Sequence, residues 1–282
     1  MSSEASWIFE RGNWRRASLK ARVKSTLKSG VRRPLQALGY HIERRSRPSW
    51  VYDAWQAQRR LLQEVEHPVV FDVGANVGQT LERYATVLPG AEIHCFEPFP
   101  ASYENLAATA AAHPRAAAYR IALGESEGEA TFHVNPDAPT RNSLLRRPEA
   151  GRRYYKSVGE LRDSITVAVE TLDGFCARHG IDRVDVLKMD VQGSELRVLS
   201  GGQALLARMA IDLIYSEVMF VPHYEGGALF HEVHAVLREH GYSLYNLYDP
   251  IFASNGQLRY ANALFLSGGV RSRVLDAFPP EG

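Results

Sequence analysis

From residue 69 onward, short apolar runs alternate with amphipathic stretches, the pattern of a parallel sheet covered by helices on both faces. The runs predict strands at 69–73, 91–96, 116–122, 184–189 and 211–216. Between them, helical spacing passes through Leu81 and Tyr84 and recurs at 103–112, 172–178, 194–206 and 229–239. The last two strands, 243–247 and 260–266, have no helix between them, so an antiparallel pair closes an otherwise parallel α/β sheet of seven strands. Residues 128–170 depart from the alternation. Short β segments at 130–134 and 165–169 flank a polar, Arg-rich loop that carries Arg141, Asn142 and Ser143. A loop of that length is usually functional or mobile, which makes these three residues candidates for binding a substrate.

The first fifty residues read differently. They hold 12 Lys and Arg against 3 Asp and Glu, while the remainder holds 21 against 29, so a formal net charge of +1 conceals two parts of opposite sign. Leu19, Val23, Leu27, Val31, Leu35 and Leu38 recur at helical spacing among these cations. The predicted organisation is therefore a basic amphipathic leader at 1–50 and one domain at 51–282 with an inserted β/loop segment at about 128–170. Such a leader can lie through residues 11–47 on an anionic membrane surface, or pack as a solvated helix. No nucleic-acid motif accompanies the charge. No apolar run is long enough to span a bilayer, and the N-terminus lacks the apolar core of a secretory signal. The two cysteines, Cys95 and Cys176, fall inside regular elements and suggest no disulfide framework. A cytoplasmic protein, peripheral at most at the inner membrane face, is expected.

The candidate chemistry begins where the first strand of the domain meets its helix, in Phe71-Asp72-Val73-Gly74-Ala75-Asn76-Val77-Gly78. Ligands of open α/β sheets bind at the carboxyl ends of the strands, so this junction is the expected cofactor site. Its G-x-x-x-G spacing differs from the G-x-G-x-x-G of dinucleotide binders. A pyrophosphate seeks backbone N–H groups, whereas the ammonium of S-adenosylmethionine needs acceptors such as Asp72. Asn76 offers donors and acceptors. Glu97, in Phe96-Glu97-Pro98, ends the second strand and is placed to accept from the two hydroxyls of an adenosine ribose.

Together these segments resemble the FkbM family of methyltransferases. The resemblance runs from about Val69 to Leu266 and includes the glycine loop, Phe96-Glu97-Pro98, Ala122-Leu123-Gly124, Asn142-Ser143, Thr171-Leu172-Asp173, the run from Leu187 to Glu195, and Glu217. It implies a Rossmann-like class I methyltransferase fold and S-adenosyl-L-methionine as cofactor. Asp72, Gly74, Asn76 and Gly78 would line its methionine part, Glu97 with Pro98 its ribose, Ala122 or Leu123 its adenine, and Asp190 the transferred methyl. The resemblance also implies hydroxyl acceptors on sugars or polyketide-type products. A basic leader ending in Leu38-Gly39-Tyr40-His41-Ile42 is similar to those of relatives that modify surface glycans. One position departs: where many relatives carry an acid in the last strand, this chain has Asn262.

The expected reaction is O-methylation of a glycan, glycolipid or other small-molecule acceptor, in which the protein aligns a hydroxyl and removes its proton. Asp190 is the first candidate base, followed by Glu217 and His223, with Lys188 on the same strand face to orient Asp190 or keep it ionised. Tyr224 could reach the acceptor. Asp190 and Glu217 could instead hold a divalent cation, although no third oxygen ligand is evident and no metal is expected. A nicotinamide-linked oxidoreductase and a non-catalytic protein retaining the fold are the alternatives.

Overall fold

The computed structural model describes residues 6–11, 13–15, 40–45, 47–134, 142–146 and 163–277. The chain divides into two compact units, Met1–Tyr52 and Asp53–Gly282. In the first, β1 (Ser6–Arg11) pairs antiparallel with both β2 (Asn13–Arg15) and β3 (Tyr40–Arg45). The helical spacing at 19–38 and Arg141 of the long loop lie outside the described residues.

The second unit begins with α1 (Ala54–Leu61), whose first turn is capped by Asp53 accepting from the backbone N–H groups of Trp55 and Gln56. There follow β4 (Val69–Val73), α2 (Gln79–Val87), β5 (Glu92–Phe96), α3 (Pro100–Ala111) and β6 (Ala116–Tyr119). A smaller sheet is built from β7 (Ala122–Leu123), β8 (Gly128–Val134) and β9 (Asp163–Glu170), in the order β7-β9-β8. The main sheet resumes through α4 (Leu172–His179), β10 (Val184–Met189), α5 (Glu195–Ser200), α6 (Gln203–Ala207) and β11 (Ile211–Met219). It closes with α7 (Phe230–Glu239), β12 (Ser243–Phe252) and β13 (Leu258–Leu266).

The strand order is β12-β13-β11-β10-β4-β5-β6, and β13 runs antiparallel to both its neighbours while the pairings from β11 to β6 are parallel. The seven-stranded, mostly parallel sheet with an antiparallel last strand is as the sequence pattern predicts. From β4 the chain works outward to β6, then returns to β10 and works outward the other way. With right-handed crossovers that reversal puts the connecting helices on opposite faces and opens a crevice at the carboxyl ends of β4 and β10.

Strand alternation then assigns each side chain to a face. One face carries Phe71, Val73, Leu187, Met189 and Ile214 into the core that also holds Phe175, Val198, Leu205 and Leu237 from α4, α5, α6 and α7. The other carries Asp72, Lys188 and Tyr215, and there Trp55 of α1 packs edge-on to Tyr84 and Tyr215. A polar centre on a buried sheet face is unusual, and it lies directly behind the glycine loop.

Two predicted elements are divided. The strand expected at 116–122 leaves the main sheet after Tyr119, and Ala122-Leu123 pairs instead with Val169-Glu170 of the small sheet. The helix expected at 194–206 breaks at Gly201-Gly202, where the carbonyl of Gly124 packs so closely that a Cβ on Gly201 would stand 2.0 Å from it. Both divisions arise where the inserted small sheet docks, a contact that periodicity along the chain does not encode.

Candidate active site

The loop after β4 is held from two sides. The N–H groups of Gly74 and Ala75 both donate to the carbonyl of Phe96 at 3.0 Å, and the N–H of Asp190 donates to the carbonyl of Val73 at 3.0 Å. Gly74 has φ of 77°, Asn76 of 49° and Gly78 of 96°, so the loop uses the left-handed region three times, at residue types suited to it. The N–H of Asn76 donates to Glu97 Oε2 at 2.9 Å, and its side-chain oxygen accepts from Ser102 Oγ at 2.9 Å. Glu97 Oε1 accepts from the N–H of Phe99 at 2.8 Å. Burial pushes the Glu97 carboxyl up to about 7 against the downward pull of those two N–H donors.

These groups open onto a cleft of about 220 Å³. Of the residues expected to bind the cofactor, Gly74, Asn76, Glu97, Pro98, Ala122, Leu123 and Asp190 all line it. Asp72 and Gly78 do not. Gly78 caps α2 and packs on Thr109 and Leu106 of α3. Asp72 lies behind the loop, fully buried, with Oδ1 2.8 Å from Lys188 Nζ, and the same Nζ donates to the carbonyl of Gly74 at 3.2 Å. Burial pushes the Asp72 carboxyl up, opposed by the ammonium beside it. Burial also works against the charged Lys188, but the carboxylates of Asp72 and Asp190 outweigh it and hold the ammonium above its usual range. The end of β10 closes on Gly74: a Cβ there would stand 2.0 Å from the carbonyl oxygen of Asp190.

On the other side of Asp190 the expected residues converge on a side chain that sequence reasoning gave no role. Gln192 Nε2 donates to Asp190 Oδ1 at 2.8 Å and to Glu217 Oε2 at 3.0 Å. Burial raises the Glu217 carboxyl well above the usual range, and the charges of Asp190 and Glu195 raise it further. Glu195, at the start of α5, is itself buried, accepts from the N–H of Gly193 at 3.2 Å and is pushed by burial up to about 7. Tyr224 is buried, and its hydroxyl donates to Gln192 Oε1 at 2.5 Å. Ser143 Oγ donates to the main-chain carbonyl of Gln192 at 2.8 Å, while Asn142 lines the cleft. His223 is buried with its ring edge-on to Tyr260 at 5.7 Å, and does not line the cleft. Register sets Asn262 opposite Glu217, so the neutral amide stands where an acid would add a further charge beside this cluster. Among the described residues no group of three or more His, Cys, Asp or Glu is placed to hold a metal ion.

The methyltransferase FkbM domain family matches residues 72–244, from Asp72 of β4 to the start of β12, more than half of the chain. The chain belongs to this family. It is 28% identical over 214 residues to the 2-O-methyltransferase NoeI of Sinorhizobium fredii (strain NBRC 101917 / NGR234), covering 74% of this chain and 80% of that protein. It is 35% identical over 205 residues to the 31-O-demethyl-FK506 methyltransferase FkbM of Streptomyces tacrolimicus, covering 66% and 76% respectively. A crystal structure of the methyltransferase FkbM from Methylobacillus flagellatus KT aligns with a TM-score of 0.46 at 15% identity, over 71% of this chain and 44% of that one. The protein is an FkbM-family methyltransferase, which displaces the nicotinamide-linked alternative. In the described residues no helix is long and apolar enough to cross a membrane.

Proposed function

We propose that this methyltransferase takes its methyl group from S-adenosylmethionine and delivers it to a hydroxyl of a sugar, in a cell-surface glycan or a glycosylated natural product. The observation that carries the reading is the single cleft that joins Glu97 to Asp190. Its make-up fits the cofactor: the Glu97 carboxyl supplies acceptors for ribose hydroxyls, and Ala122, Leu123 and Phe132 supply an apolar wall for a base. Gly74 and Asn76 would hold the amino-acid end. When bound, the cofactor supplies a sulfonium-activated methyl group. The chain aligns the acceptor and takes up its proton, with Asp190 at the cleft the first candidate. Glu217, its carboxyl raised above the usual range by burial, stands beside Asp190 across the Gln192 amide that bonds both. Both relatives above are named for methyl transfer to oxygen, which supports a hydroxyl acceptor.

The test is calorimetric titration of the protein with S-adenosylhomocysteine and, separately, NADH. Binding of the first alone, lost in Glu97→Ala, supports the reading, and preference for NADH sinks it. The state of Glu97 adds a pH signature. An ionised carboxylate accepts from both hydroxyls, so affinity for S-adenosylhomocysteine should strengthen as pH rises through about 7. The expected gain from pH 6 to pH 8 is about tenfold, and it should vanish in Glu97→Gln. With an acceptor in hand, Asn142→Ala should raise the acceptor KM by about tenfold or more and leave S-adenosylhomocysteine binding within about threefold. Equal losses of both would remove Asn142 from the acceptor side.

A further inference from the structure

Gln192 lies in the turn between β10 and α5 with φ of 55°, a left-handed conformation that a residue with a side chain keeps only where its surroundings hold it. Four segments meet at it. Its amide nitrogen donates to the acid that ends β10 and to the acid on β11, its amide oxygen accepts from the Tyr224 hydroxyl, and its carbonyl accepts from Ser143. The partners fix which end of the amide is which, because a flipped amide would set its oxygen against two carboxyl groups. Among neutral side chains only an amide supplies two donors and an acceptor from one planar group, and Asn is shorter by a methylene.

Resting on the reading of the cleft given above, we infer that Gln192 is a positioning residue that fixes Asp190 and Glu217 as one hydrogen-bonded pair, with Tyr224 setting the orientation of the amide. The pair, rather than either acid alone, then presents the group that receives the acceptor's proton. The charges around it are Lys188 on β10, Glu195 on α5 and Asp72 on β4, while β13 contributes the neutral Asn262. Gln192 bonds both acids and adds no charge of its own. Hydrogen bonds donated to a carboxylate favour its ionised form, so the amide lowers the pH at which Glu217 gives up its proton.

The experiment is a carboxyl ¹³C NMR titration of the full chain, comparing wild type with Q192L, Q192E and Y224F, with D190N and E217Q used to assign the two signals. Q192L should move the Glu217 midpoint up by about one pH unit, and Q192E further, because it adds a third carboxylate. Y224F should give a smaller shift of the same sign. A purely space-filling role would leave all three midpoints at the wild-type value, and that result in folded variants overturns the inference. Should Q192L fail to fold, Q192E and Y224F decide it alone. Calorimetry of the wild type with S-adenosylhomocysteine is run beside the titration. Shifted midpoints without cofactor binding would uphold Gln192 as the tie between the acids while removing the functional reading on which its meaning rests.

Discussion

Gly74→Ala is expected to abolish S-adenosylhomocysteine binding and to cost the fold about 3 kcal/mol or more. Two independent penalties fall on the one methyl group. A left-handed backbone with φ of 77° costs an L side chain about 1–2 kcal/mol. The added Cβ would also stand 2.0 Å from the oxygen and 2.9 Å from the carbon of the Asp190 carbonyl. That carbonyl cannot simply retreat, since the N–H of Asp190 is bonded to Val73 and its side chain to Gln192. Relief therefore requires the ends of β4 and β10 to part, which displaces Asp190 from the cleft and breaks the bonds from Gly74 and Ala75 to Phe96. Urea unfolding measures the first effect and calorimetry the second. Wild-type affinity in a folded Gly74→Ala protein would show that the approach of β10 does not set the shape of the cofactor loop.

What the chain declares along its length is what depends on neighbours in sequence. The strands at 69–73 and 184–189 are runs of apolar residues in one element, and their observed limits, Val69–Val73 and Val184–Met189, are those the pattern predicts. That Gly74, Asn76 and Glu97 would share one cleft was legible for the same reason, since they sit at strand ends that the topology brings together. The role of Gln192 was not. Its four bonds reach Asp190, Glu217, Tyr224 and Ser143, segments separated by up to 49 residues, and a polar residue in a turn before Gly193 reads from sequence as a turn residue. Asp72 carries the complementary lesson. An acid at a strand end looks like a ligand acceptor, yet alternation turns it toward the face where the register pairs it with Lys188. One residue earlier or later, its side chain would point into the apolar core beneath α4.

That buried pair carries the second large expectation: Lys188→Met should destabilise the protein by about 3–5 kcal/mol, because it strands a carboxylate with no solvent access. Burial already raises the Asp72 carboxyl while the ammonium pulls it down, so removing the ammonium raises it further. A carboxyl whose pKa is raised on folding adds stability below its unfolded value near 4 and loses it as pH climbs through the folded value. The variant should accordingly be nearest to wild type in acid and fall away toward pH 8, the reverse of an ordinary surface-paired carboxylate. Asp72→Asn combined with Lys188→Met removes both charges together and should recover most of the loss, a coupling that a double-mutant cycle in urea reads directly. Affinity for S-adenosylhomocysteine should not recover with it, since Met cannot donate to the Gly74 carbonyl that Lys188 holds at the back of the loop. Recovery of both stability and affinity would make the pair a matter of folding alone, while recovery of stability only assigns Lys188 a second task in shaping the cofactor loop.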